Sequence, residues 1–389
     1  MKWVYLDHAA TTPVDQRVIE AMLPYFHEAF GNPSSVHAIG QDARRTVEDV
    51  RGKIASFLVA KPEEIIFTSG GTESDNTAIK GVAYAMEDKG NHIITSSIEH
   101  HAVLETCRYL EKQGFHVTYL AVDRSGVVDP DDVRRTITDK TVLISIMHAN
   151  NEIGTIEPIA EIGKIARERE IFFHTDAVQT FGHLPTDVGE LNVDLLSASA
   201  HKLCGPKGVG MLYVREGTRM IPFMHGGGQE RGRRASTHNV PGIAGLGKAV
   251  ELAKEMMWEE AEKLTSLRDK MIKKILEGID DTVLNGHPVQ RLPNNINVSI
   301  GYIEGEAMIL NLDGEGIACA TGSACTSSSM EPSHVLAAIG LPHDFTHGSL
   351  RLTMGRTTSE EDVDYALKVL PGIVDKLRSI SPLYKKRTL

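Results

Sequence analysis

The chain has 389 residues, 41% of them hydrophobic, which is enough for a full-sized core and too many for a disordered polypeptide. It carries 41 Lys and Arg against 52 Asp and Glu, a net charge of −11. Its basic residues are dispersed apart from Arg231, Arg233, Arg234 and the Lys385, Lys386, Arg387 tail, a balance that argues against a nucleic-acid partner.

Four cysteines, Cys107, Cys204, Cys319 and Cys325, are too sparse for a disulfide framework. No C-x-x-C pair marks a zinc ribbon or a redox couple. The opening MKWVYLDHAATTP has no apolar stretch of signal-peptide length, and no run of about 18 apolar residues occurs. The expectation is a reduced, cytoplasmic, globular protein with no membrane partner.

In chain order, apolar runs rich in β-branched residues predict strands at 64–68, 92–96, 117–122, 142–148, 171–175 and 209–214. Helical periodicity predicts helices at 74–87, 101–113, 131–138 and 158–169 between them. The rhythm then changes to a long helix at 244–277, a strand at 295–300, a Gly/Ser/Thr-rich stretch at 314–329 and a helix at 360–379. The expected fold class is α/β, with a mostly parallel sheet flanked by helices. The expected domains are a large one at 15–255 and a smaller α+β one at 256–389 joined by residues 1–14.

In an open parallel sheet, ligands sit beyond the carboxyl ends of the strands. After 64–68 comes Ser69-Gly70-Gly71-Thr72-Glu73-Ser74. Glycines before a helix N-terminus expose N–H groups to an anion, although an ordinary capped turn also accounts for the string. After 92–96 comes Glu99-His100-His101; an imidazole over a ligand and a solvated helix start both fit. Asn150-Asn151-Glu152 reads as a polar loop or Asx turn. Asp176 follows an apolar strand, where a carboxylate is costly without a cation. Lys202 follows an apolar run of small residues; desolvation there lowers an amine pKa, whereas a snorkelling lysine is the ordinary alternative. Anion cradle, flat stacking residue, buried carboxylate and desolvated lysine together match the needs of pyridoxal 5′-phosphate.

The strings YLDHAATTP (5–13), GNPSSVH (31–37), FTSGGTESDN (67–76), HANNEIG (148–154), HTDAVQTFG (174–182), SASAHK with GPKGVG, HGGGQERGRRAST (225–237) and GSACTSSSMEPSHVL (322–336) run through the whole chain in order. With them the sequence resembles the NifS/IscS-type cysteine desulfurases, class V aminotransferase-like enzymes of pyridoxal phosphate fold type I. The resemblance implies a seven-stranded-type sheet in the large domain and removal of sulfur from L-cysteine. By the same resemblance Lys202 matches the lysine bonded to the cofactor aldehyde, Asp176 the partner of the pyridine nitrogen, and His100 the stacked histidine that helps move protons. Gly71, Thr72, Ser199 and His201 match phosphate-side contacts, and Asn151 and Gln179 match contacts near the phenolic oxygen. Thr237 matches a residue reaching the partner subunit's phosphate, which implies a homodimer. Arg351 matches the arginine that grips the substrate carboxylate. Cys325 matches the sulfur-accepting nucleophile, and an acceptor protein, an iron–sulfur scaffold, is implied.

A selenocysteine lyase or another class V enzyme is the alternative, and a scaffold protein without cofactor is a rival from another class. The 17 histidines offer no compact metal-ligand set. Cys204 stands where relatives often have an aromatic, and His8 where many have tyrosine. Cys319, six residues before Cys325, reads as packing.

Overall fold

The computed structural model describes residues 3–322 and 333–385. The expected nucleophile Cys325 lies outside the described residues. A two-residue strand, Val4–Tyr5 (β1), opens the described chain. The main sheet is then built from β2 (Ile65–Thr68), β3 (His92–Ser96), β4 (His116–Leu120), β5 (Thr141–Ser145), β6 (Phe172–Asp176), β7 (Leu195–Ser199) and β8 (Gly210–Val214). Its seven strands run in the spatial order β2-β8-β7-β6-β5-β3-β4. Pairing is parallel from β4 through β7 and antiparallel where β8 lies between β7 and β2. Helices cover both faces, so β3, β5 and β7 are buried at every residue, and their sequences lack the alternation of a half-exposed strand.

The expected mostly parallel sheet is present, with three informative differences. No element was expected between 15 and 60, yet a helix spans Ala38–Leu58 with Ala43, Val47, Val50, Ile54 and Leu58 on its buried face. No strand was expected at β7, whose Leu-Leu-Ser-Ala-Ser is weakly apolar but central in the sheet. The helix expected at 74–87 starts three residues earlier, as Gly71–Ala85. That shift brings the Gly-rich turn into its first turn.

Beyond β8, the helix Val240–Gly278 runs for 39 residues, about 58 Å. Its first half (Ile243, Leu246, Val250, Ala253) packs into the core beneath the main sheet. Its second half (Leu264, Leu267, Met271, Ile275) joins a separate core with Val4, Leu6, Ile296, Val298, Leu350 and Leu352. That core holds an antiparallel sheet of β9 (Thr282–Leu284), β10 (Asn295–Ile300) and β12 (Ser349–Thr353), in the order β12-β10-β9. The short β11 (Ile317–Ala318) pairs in parallel with β1. The N-terminal chain thus belongs to this sheet's core, then crosses to the main sheet, where the Thr12 N–H donates to the His201 carbonyl at 3.0 Å.

One buried ion pair ties the loop before the long helix to the main sheet. Glu230 accepts from both Arg51 terminal nitrogens at 2.8 Å, from the Phe67 N–H at 2.9 Å and from His238 at 2.6 Å. Burial opposes ionisation, but Arg51 and His238 override it and hold the Glu230 carboxyl down at about 2. Glu230 and Arg231 both take left-handed φ values, 45° and 57°, which non-glycine residues hold only when their surroundings force it. Glu230→Ala leaves the buried Arg51 guanidinium with only the exposed Glu48 carboxylate and the Ile65 carbonyl as partners. The expected loss of unfolding free energy in urea titration is about 3–5 kcal/mol, and a loss under about 1 kcal/mol refutes this assignment.

Candidate active site

The carboxyl ends of β2, β6 and β7 open on one cavity of about 300 Å³. Gly71, Thr72, His100, Asn151, Asp176, Gln179, Ser199, His201, Lys202 and Arg351 all line it. Ten of the twelve site residues expected from the sequence therefore meet. Thr237 does not line it and stands exposed in the loop before the long helix. The twelfth is Cys325.

The helix Gly71–Ala85 points its N-terminus at this cavity. Its preceding residue, Gly70, supplies no side-chain cap, so the first helical N–H groups keep their donor capacity and the dipole favours an anion. A Cβ on Gly71 would come within 2.6 Å of Val178 Cγ2, so only glycine fits beside the β6 turn. Ser199 ends β7 and His201 follows it on the same wall, and the His201 Nδ1 lies 3.1 Å from the Thr11 hydroxyl.

Asp176 ends β6, buried, with one oxygen accepting from the Val178 N–H at 2.8 Å. Burial raises its carboxyl above the ordinary range, while that N–H and the Lys202 charge pull the other way. Such a group is one cation short of comfort. Lys202 is half-buried in the short turn after β7, less desolvated than expected. Its ammonium donates to the Ala9 carbonyl and, at 2.9 Å, to the Ala10 carbonyl. Gln179 donates to the same Ala9 oxygen at 3.1 Å.

His100 caps the helix His101–Glu111, its Nδ1 accepting from the Ala102 N–H at 3.1 Å. That bond assigns the neutral ring's proton to Nε2. Burial, then the Lys202 charge, lower its pKa to about 4. Buried Asn150 forms the Asx turn, its side chain accepting from the Glu152 and Ile153 N–H groups at 2.8 and 3.0 Å. The turn presents Asn151 and Glu152 to the cavity. Asn295 and Asn297 of β10 donate to the Glu152 carbonyl at 3.2 and 3.0 Å, joining the two sheets at this point.

Arg351 reaches the cavity from β12. It donates to Asp7 at 2.9 Å and to the Asn151 carbonyl at 3.1 Å, while its buried Nε has no partner among the described residues. Near it the Glu152 carboxyl accepts from Ser333, and burial pushes it up to about 7.

The residues present fit pyridoxal phosphate. An uncapped helix start suits its phosphate, Asp176 lacks the cation that a protonated pyridine supplies, and Lys202 opens on the same cavity. Among the described residues no three His, Cys, Asp or Glu side chains gather to hold a metal ion, and no helix is long and apolar enough to cross a membrane. Sequence reasoning missed Ala9, Ala10, Asp75, Glu152 and His334 as cavity residues. Ala9 and Ala10 act through backbone carbonyls, for which no residue type is a signal. Asp75 and Glu152 were visible only as acids within polar strings. Cys107 and Cys319 pack against apolar cores, and burial raises both thiols.

Comparison with known proteins agrees with this geometry. The aminotransferase class-V family model matches residues 4–366. The chain is 60% identical to the cysteine desulfurase IscS of Dictyoglomus turgidum over 98% of this chain and 97% of that one. It is 60% identical to the IscS of Methanosarcina thermophila over 100% of this chain and 96% of that one. A solved NifS-like protein superposes with a TM-score of 0.91 at 41% identity, covering 97% of this chain and 100% of the other. A protein called SspA, solved in complex with cysteine, gives 0.81 at 41% identity, covering 90% and 98%. The chain belongs to the class-V aminotransferase family, in its branch of IscS- and NifS-type cysteine desulfurases.

The His100 environment has a direct readout. A histidine NMR titration of the full chain without cofactor should contain one ring, absent from His100→Asn, with a midpoint near 4. A midpoint at the ordinary value of about 6.5 contradicts the burial described here.

Proposed function

We propose that this protein is a pyridoxal-phosphate-dependent cysteine desulfurase that converts L-cysteine to L-alanine and leaves the sulfur as a persulfide on Cys325. The observation that carries this reading is the convergence of Lys202, Asp176, His100 and an uncapped helix start on the one cavity that Arg351 also enters. The Lys202 amine would hold the cofactor's aldehyde carbon, Asp176 its ring nitrogen, and His100 would cover its ring. The helix start at Gly71 and Thr72, with Ser199 and His201, would hold its phosphate, and Asn151 and Gln179 its phenolic oxygen. When bound, pyridoxal phosphate supplies a carbonyl that captures amines and an electron-poor ring that acidifies the carbon next to the captured nitrogen.

Arg351 would orient the substrate by its carboxylate. Asp7 and the Asn151 carbonyl fix the plane of its guanidinium, and its Nε keeps a donor available among the described residues. The Lys202 amine and the neutral His100 ring are bases that can take and return the substrate's Cα proton. The Cys325 thiolate would attack the substrate Sγ. The Cβ–Sγ bond breaks, the sulfur stays on Cys325, and the carbon skeleton takes a proton to leave as alanine. The resemblance supports the Cys325 role, and so does the place of its nearest described neighbours. Gly322 lines the cavity, and Ser333 bonds Glu152 at its wall.

In this reading the protein is a cytoplasmic homodimer, with Thr237 completing the phosphate site of the partner subunit. Residues 15–255 form the cofactor domain, and 1–14 with 256–389 form the domain that presents Arg351 and Cys325. The persulfide then passes to an acceptor protein, an iron–sulfur cluster scaffold. The cysteine bound to SspA supports the substrate assignment.

Two variants test the reading. Cys325→Ala should keep the cofactor's visible absorbance and lose cysteine desulfuration by at least ~1,000-fold, measured as alanine formed. Lys202→Ala should lose the adduct that borohydride traps. Persistent alanine formation in the first, or an unchanged adduct in the second, overturns the assignment.

A further inference from the structure

Asp75 lies in the helix that starts at Gly71, one helical turn inside the cavity wall, and is 1% exposed. It lines the same cavity as Asp176. Its Oδ1 has no hydrogen-bond partner among the described residues. The nearest basic group is His174 of β6, whose Nε2 lies 3.6 Å from that oxygen. This ring cannot serve as a counter-ion. Its two nitrogens meet the Ser145 and Ser197 hydroxyls at 2.8 and 3.0 Å, and burial lowers its pKa to about 3.

The other neighbours offer Asp75 no cation either. β5, β7 and β8 carry no charged residue. The helix His101–Glu111 adds the buried Cys107 thiol, kept neutral by burial. Glu99, in the segment after β3, is a third buried carboxyl, its Oε1 held by Ser96 and the Met147 N–H at 2.7 and 3.0 Å. Burial pushes Glu99 up to about 8. Of the two cations lining this cavity among the described residues, Arg351 is engaged by Asp7 and the Asn151 carbonyl, and Lys202 acts on Asp176.

Like charges in a buried site do not all ionise; the proton goes to the carboxyl whose charge is supported least. Asp176 has a backbone N–H and a lysine in its favour, and Asp75 has neither. We propose that Asp75 is a positioning residue that carries a proton, a neutral acid beside Asp176 that leaves Asp176 as the single ionised carboxylate on this wall. Burial first and the Asp176 charge second drive the Asp75 carboxyl upward, with the Ser197 hydroxyl opposing. This inference rests on the proposed role of Asp176 toward the cofactor. A neutral Asp75 lets Asp176 face one positive charge without a second anion behind it.

Difference infrared spectroscopy of the full chain, with and without pyridoxal phosphate, tests this. At neutral pH, Asp75→Asn should remove a neutral carboxylic-acid band. With cofactor bound, Asp176→Asn should remove an ionised carboxylate band. In Asp176→Asn the Asp75 acid band should titrate about one pH unit or more lower, because the neighbouring charge is gone. The reverse assignment of the bands, or an Asp75 midpoint indifferent to Asp176, overturns the proposal.

Thermal unfolding of the cofactor-free chain gives a second reading. An acid raised in the folded state supports stability fully below its unfolded pKa, and that support fades as pH rises through the folded value. Asp75→Asn should therefore match the wild type near pH ~4 and exceed it increasingly toward pH ~9. A variant less stable than wild type at the alkaline end refutes a neutral Asp75. Failure of the cofactor reading itself would be seen separately, as a protein that develops no visible absorbance with pyridoxal phosphate.

Discussion

The architecture turns on one constraint: a carboxylate placed in a dry interior must be given a cation or a proton. Asp176 ends a central parallel strand, where the sheet and its covering helices exclude water. The surrounding chain offers it one backbone N–H and the charge of Lys202. That leaves a cavity with a standing demand for a further positive group. The uncapped helix start beside the turn after β6 makes the complementary demand for a negative one. A cofactor with a basic ring nitrogen at one end and a phosphate at the other meets both demands at once.

The second sheet matters because the first cannot supply everything. Chain 4–15 leaves β1 and passes beneath the lysine turn, and the Ala9 and Ala10 carbonyls hold the Lys202 ammonium in place. From β12, Arg351 projects into the same space and shares Asp7 with that strap. The Asx turn at Asn150 closes the arrangement, tied at Glu152 to Asn295 and Asn297 of β10. Lysine and arginine therefore sit on different cores but touch one connecting segment.

Much of this was legible in the sequence where one residue type has one physical use. Glycines before a helix, an acid after an apolar strand and a lysine after small residues each point to the cavity from sequence alone. The sheet was legible for the same reason, as fully buried strands leave unbroken apolar runs. β7 escaped because Leu-Leu-Ser-Ala-Ser is strand-like only in its context, between two neighbours that satisfy its backbone. The helix Ala38–Leu58 had a readable apolar stripe and no dramatic punctuation. Asp75, Glu152 and the Ala9 and Ala10 carbonyls were invisible because their meaning comes from what the fold sets beside them.

The pairing of β10 with β12 places Asn297 opposite Arg351. Side chains alternate along a strand, so a slip of one residue would turn Leu350 or Leu352 toward the cavity and bury the guanidinium in apolar packing. That phase is fixed inside the ladder, because a residue added within β12 would turn every side chain after it to the opposite face. An insertion in the exposed part of the 286–290 turn, which carries no ladder pairing, leaves that phase untouched. Homologues of this protein should vary in length at the second place and stay constant at the first.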